Sequence, residues 1–197
     1  MISLSEIYPY TPVEPFQKRV AYFSMEFAVD QALKIYSGGL GFLAGSHLRS
    51  AFDLKQNVLG VGILWSYGYY DQQIGENGEM GVRYLPKNYS FLIDTGVKFQ
   101  IPIHGSPVWV KAFFLKPETF GSAPLFLLST DIEENDSLSR TITHRLYDPI
   151  EATRIAQSII LGTAGAMLLD ILGLNPEVYH MNEGHSVSLN FYLLEKF

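Results

Sequence analysis

A glycine-rich bend set between two apolar strands constrains this chain more than any other feature. The segment Arg19-Val20-Ala21-Tyr22-Phe23-Ser24-Met25 is β-branched and aromatic and follows a proline-rich lead, which predicts a buried strand ending at Glu26. Asn57-Val58-Leu59-Gly60-Val61-Gly62-Ile63-Leu64 predicts a second. Between them, after a turn region around Asp30 and Ser37, Leu40, Leu43, Ala44, Leu48 and Ala51 fall at helical spacing. They predict a helix that starts at the glycines of Tyr36-Ser37-Gly38-Gly39-Leu40-Gly41. Strand, helix, strand is the unit from which parallel sheets are built.

The chain has 197 residues, enough for one domain over 1–197 with a real core. Hydrophobic residues make up 47% and charged residues 17%, the opposite of a disordered balance. The formal charge is -6 and no Lys/Arg run gathers with aromatics, so the field repels a phosphate backbone and nucleic acid is excluded as a partner. The absence of cysteine removes disulfides, thiolate metal sites and Cys nucleophiles together, and fits a reducing compartment. Met1 to Pro15 has acidic residues and three prolines, unlike a signal peptide. The longest weakly polar stretch, Ile155 to Leu169, reads as a buried helix too short to span a bilayer. The expectation is a cytoplasmic protein with no membrane partner.

From Tyr67 to Leu115 the chain is rich in Gly, Tyr and Pro. Alternating runs Val97 to Ile103 and Val108 to Leu115 flank His104-Gly105-Ser106-Pro107, which predicts an antiparallel hairpin insertion on the edge of the parallel core. Pro124 to Thr130 returns to a continuous apolar strand ending at Asp131. Asp148-Pro149-Ile150-Glu151 reads as a helix start, with Asp148 as N-cap and Pro149 at the first helical position, and Gly173 as the terminator. Glu177 to Met181 reads as a strand, Asn182-Glu183-Gly184-His185 as a turn and Ser186 to Phe197 as a helix. The fold class is therefore α/β, a Rossmann-like parallel sheet with an antiparallel hairpin insertion.

Ligands of open parallel sheets bind beyond the carboxyl ends of the strands. Three polar clusters fall there: Ser24 to Glu26, Tyr36 to Gly41, and Asn182 to His185. The glycine bend offers bare backbone N–H groups at a helix start, where a phosphate or a sugar hydroxyl can approach; the alternative is that the glycines only permit a tight turn and close packing. Gly39, Gly41 and Ala44 fit a dinucleotide fingerprint, but no strand runs directly into Gly39 and no suitably placed acid follows. Glu183 and His185 can orient a ligand hydroxyl, or Asn182 and Glu183 can form an ordinary cap. Glu26 is an acid or hydrogen-bond acceptor, or a buried partner for a backbone amide. His47 lies on the apolar helix face and reads as a buried, hydrogen-bonded histidine. Trp65, Tyr67, Tyr69 and Tyr70 can stack on sugar rings or pack the core. His104 and His144 lack ligand-like spacing, and no metal site emerges.

Six ordered blocks carry a family resemblance: Ala21 to Phe27, Ile35 to Gly45, Gly60 to Gln72, Thr130-Asp131-Ile132, His144-Arg145-Leu146-Tyr147, and Tyr179 to Ser186. In this order they resemble the start of the bacterial α-glucan (glycogen, maltodextrin) phosphorylases. The resemblance implies part of the amino-terminal domain of a glycosyltransferase B-type fold, in which two Rossmann-like domains face each other across a cleft. It implies reversible phosphorolysis of α-1,4-glucans by inorganic phosphate to glucose 1-phosphate, with pyridoxal 5′-phosphate as cofactor. Gly38 and Gly39 are then cofactor-phosphate residues, Leu40 and Glu26 substrate-binding, and Glu183 and His185 catalytic groups lining the cleft. The cofactor-bearing lysine and the basic phosphate-binding residues belong to a carboxy-terminal domain with no counterpart here, so this chain alone is expected to be inactive. Homodimerisation is left open. Two rivals remain: a freestanding glucan-binding or regulatory module, and a nucleotide-sugar glycosyltransferase of the glycogen synthase type. Tyr36 disfavours the latter, since it stands where such synthases carry a lysine.

Overall fold

The structure, a computed structural model, describes residues 7–197. The reading of Met1 to Pro15 as no signal peptide therefore lies partly outside the described residues. Eight strands and intervening helices follow in the order β1 (Val20–Phe23), α1 (Gly39–Asp53), β2 (Val58–Ile63), β3 (Asp71–Ile74), β4 (Met80–Arg83), β5 (Ile93–Ile103) and β6 (Ser106–Leu115). Then come α2 (Pro117–Phe120), β7 (Leu125–Ser129), α3 (Ser137–Thr141), α4 (Glu151–Ile159), a π-helical turn (Ile160–Ala164), α5 (Gly165–Ile171), β8 (Val178–Met181), a 3-10 turn (Gly184–Ser186) and α6 (Leu189–Lys196).

One six-stranded sheet, ordered β5-β6-β7-β2-β1-β8, forms the frame, and β3 and β4 pair in a separate antiparallel ribbon. β7, β2, β1 and β8 run parallel, and β5 and β6 add antiparallel to the β7 edge. The expected hairpin insertion is thus part of the main sheet. Its turn, His104-Gly105, has φ of 51° and 77° at its two residues, which matches the right-handed twist of the flanking strands. β2 and β7 are buried along their whole length, as continuous apolar runs should be when helices cover both faces.

On one face, α1 buries Gly41, Ala44, Gly45, Leu48 and Ala51. Leu43 was expected on that face and is 61% exposed beside Phe42 at 58%, because close approach at the small residues turns both outward. Gly60 makes room for the layer: a Cβ there would meet Leu125 at 2.8 Å and Leu48 at 2.9 Å. His47 is also corrected. It is exposed, with its ring 4.8 Å from Tyr22 and 6.5 Å from His180, because α1 packs over β2 through Leu48 and Gly60 while His47 points sideways toward β1 and β8. Partial burial, then the charge of His180, holds the His47 imidazole below its usual range.

On the other face lies the continuous helix Glu151–Ile171, 21 residues long and so longer than the weakly polar stretch Ile155 to Leu169 within it. By length and composition it can cross a membrane, yet 56% of its apolar window is buried against the protein's own core. Gly165 brings it so close that a Cβ would sit 2.8 Å from both Phe23 and Val61. It begins at Glu151 rather than being capped by Asp148; the Asp148 carboxylate instead accepts from Ile150 N at 2.9 Å. Gly173, at φ 66°, ends it as expected. β8 is an edge strand, with Val178 and His180 exposed, and Val187, Phe191 and Leu194 form an exposed apolar stripe running into α6.

Candidate functional site

The order of the parallel strands locates the site. The chain steps from β1 to β2 and on to β7, then crosses back to lay β8 on the other side of β1. The strand order reverses between β1 and β8, and open α/β sheets bind ligands in the crevice at the carboxyl ends of such a pair. β1 runs into Ser24-Met25-Glu26, and β8 runs into Asn182-Glu183-Gly184-His185.

The two strand ends are tied together. Asn182 N donates to Phe23 O at 2.9 Å, and the buried Asn182 side chain donates to Ser24 Oγ at 3.1 Å. Asn182 is therefore not the N-cap of a helix, since its side chain serves the strand pair. Glu183 follows at φ 64°, ψ −169°, a region that is essentially glycine-only. The 3-10 turn then carries His185, and α6 starts only at Leu189, later than expected. The delay has a packing cause in the π turn below it. A Cβ at Gly162 would lie 2.4 Å from Ser188 Oγ and 2.6 Å from Ser186 O, and Ser188 Oγ donates to Ser158 O at 2.8 Å.

A hollow of about 400 Å³ opens here, lined by Met25, Tyr147, Glu151, Arg154, Ser158, Glu183 and His185 among others. It holds two carboxylates, a guanidinium, an imidazole and a phenol ring, a mixture of donors and acceptors that suits a polyhydroxylated ligand better than a simple ion. Among the described residues, Arg154 Nη1 reaches only the carbonyls of Asp148 and Pro149, at 3.2 and 3.4 Å. Among the described residues, His185 Nδ1 and Ser186 Oγ are buried without a hydrogen-bond partner.

Glu26 is 1% exposed and both its oxygens are engaged. Oε2 accepts from Ser37 N at 2.5 Å and Gly38 N at 3.2 Å, and Oε1 accepts from the Tyr147 hydroxyl. The reading of Glu26 as a residue in direct contact with substrate gives way to its alternative, a buried partner for backbone amides. The same bonds spend the N–H groups of Ser37 and Gly38. Those of Gly39, Leu40 and Gly41 precede the first bond of α1, Phe42 N to Gly38 O, and have no acceptor within the helix. A Cβ at Gly38 or Gly39 would meet nothing within 4 Å, so the backbone there is bare, as an approaching anionic group requires. Gly38, Gly39 and Leu40 do not line the hollow; the bend reaches it only through Glu26 and Tyr147.

The residues missed from sequence are Tyr147, Glu151 and Arg154. Asp148-Pro149-Ile150-Glu151 was read as a helix cap, and nothing in its periodicity shows the turn folding back over β1 and β8. Of the aromatic cluster, Trp65 is core, with Nε1 donating to Met25 O at 3.0 Å, while Tyr69 lies 6.3 Å from the Tyr147 ring. Among the described residues no group of His, Cys, Asp and Glu is arranged to hold a metal ion.

The backbone at Glu183 stores about 1–3 kcal/mol of strain. Glu183→Gly is expected to raise unfolding free energy by about 1 kcal/mol, measured by urea denaturation, because glycine adopts this conformation freely. A loss of stability would show that the side chain is held for packing.

No protein-family profile matches the chain. It is similar to an uncharacterized protein of Methanocaldococcus jannaschii, 51% identical over 91% of this chain and 34% of that protein. It is also similar to a maltodextrin phosphorylase of Thermococcus litoralis, 37% identical over 89% of this chain, and a glycogen phosphorylase of Mycobacterium tuberculosis, 36% identical over 85%. The chain spans 22% and 21% of the length of those two enzymes.

Proposed function

We propose, from the premise that this chain belongs to the glycogen and maltodextrin phosphorylase family, that it forms the amino-terminal, sugar-facing wall of a two-domain glycosyltransferase B-type enzyme. The reaction is reversible phosphorolysis of α-1,4-glucans by inorganic phosphate to glucose 1-phosphate, in the cytoplasm. The single observation that carries this reading is the meeting of Glu183, His185, Arg154 and Tyr147 in one hollow at the strand-order reversal.

In this reading Glu183 and His185 contact the glucosyl unit. The carboxylate accepts from sugar hydroxyls, the imidazole donates to or accepts from one, and Arg154 donates to ring or hydroxyl oxygens. Tyr147 and Met25 supply apolar surface to the sugar face and exclude water. Gly39 fits the phosphate end of pyridoxal 5′-phosphate by its bare backbone, which the first-turn amides and the helix dipole of α1 reinforce, and Gly38, whose N–H is held by Glu26, contributes the side-chain-free approach beside it. When bound, the cofactor supplies a phosphate group that takes part in proton transfer with the substrate phosphate. Residues 1–197 act as one domain.

One wall cannot pre-organise the positive charge and proton donor that phosphorolysis needs on the opposite side. The 197-residue chain is therefore expected to bind maltoheptaose in calorimetry and to form no glucose 1-phosphate from maltoheptaose and phosphate. Robust turnover by this chain alone, or stabilisation by a nucleoside diphosphate sugar with none by maltoheptaose, overturns the reading.

A further inference from the structure

We propose that Tyr147 is a positioning residue that joins the glycine bend to the Glu183–His185 wall, acting through Glu26; the functional part of this rests on the glucan-cleft reading above. Among the described residues, Tyr147 is the one in hydrogen-bond contact with Glu26 that also lines the hollow. Its hydroxyl donates to Glu26 Oε1, and Glu26 Oε2 holds the amides of Ser37 and Gly38. Its ring centre lies 5.9 Å from that of His185. One side chain thus touches both walls.

Three features show that this contact is imposed on the residue. Tyr147 sits at φ 57°, a left-handed conformation that a bulky residue adopts only when its surroundings require it. Burial, then the bond to Glu26, raises the phenol well above its usual range, so it stays protonated and remains a donor. The helix is built around the same carboxylate, since a Cβ at Gly41 would lie 2.9 Å from Glu26 Oε2. Glu26 has no room to find another partner on that side. Without the phenol, one oxygen of a buried carboxylate is left unsatisfied, and relaxing it means loosening the two amides on the other oxygen.

The test is amide hydrogen exchange and maltoheptaose calorimetry on the parent chain and two variants. In Tyr147→Phe, exchange at Ser37 and Gly38 is expected to accelerate about tenfold while core amides of β2 are unchanged, with glucan affinity reduced about tenfold. In Glu26→Gln both amides are expected to stay protected within about threefold, because the Gln oxygen accepts from them and its NH2 group donates to the phenol oxygen.

Unchanged exchange at Ser37 and Gly38 in Tyr147→Phe overturns the proposal, as does unchanged affinity in a parent chain that binds glucan. If Tyr147→Phe does not fold, Glu26→Gln decides, and loss of protection there overturns it. Absence of glucan binding by the parent chain sinks the cleft reading alone, because the exchange readout needs no ligand.

Discussion

Gly45→Ala is expected to cost about 3 kcal/mol or more of stability, measured as the shift in urea unfolding free energy, although alanine is the better helix former. A Cβ at this position would lie 2.2 Å from Ala28 O, 2.4 Å from Ala28 C and 3.0 Å from Ala28 N. All three are backbone atoms, so no side-chain rotation relieves the overlap. The backbone is also pinned from the other side, since Ala28 N donates to Gly41 O at 2.9 Å. Helix α1 and the segment leaving β1 can separate only by breaking that bond and drawing Glu26 away from Ser37 and Gly38. Helix propensity returns about 1 kcal/mol at most, which does not offset a backbone collision. A loss below about 1 kcal/mol would mean that this junction is more pliable than its geometry indicates.

Gln157→Leu is expected to cost about 2–4 kcal/mol, despite being an apolar substitution in a buried helix. The Gln157 side chain is fully buried, and Nε2 donates to Ile142 O and to Arg145 O, both at 2.9 Å. Leucine leaves two carbonyls without that donor, and that of Ile142 lies in a buried place. Those carbonyls belong to the turn that carries Tyr147, so the damage should spread to the site, and maltoheptaose affinity should fall along with stability. Gln157→Glu tests the cause, because an ionised carboxylate fills the same space and cannot donate. If the glutamate variant is as stable as the parent, the two bonds are not what holds the turn.

The frame of the molecule was legible in the sequence because its signals are local. Continuous apolar runs at β2 and β7, the apolar periodicity of α1 and the His104-Gly105 turn each state their structure within a few residues. The placement of the hairpin on the edge of the parallel sheet followed from the same signals. The clusters after β1 and β8 were legible as candidates because a strand-end rule needs only strand assignments. What was not legible depends on distant contacts. Glu26 looked available because its partners, Ser37, Gly38 and Tyr147, are 11, 12 and 121 residues away. His47 looked buried because a helical pattern shows which face points inward but not which side chain beside that face points sideways. The late start of α6 is set by Gly162, a glycine that reads in sequence as a helix weakness and serves as the point of closest approach.

The outer side of β8 has a mechanical consequence. A strand added there would lie about 5 Å away, one strand spacing from the residues that end in Glu183. Val178 to Met181 would then be gripped on both sides, and any tilt of the newcomer would bear directly on the strained turn.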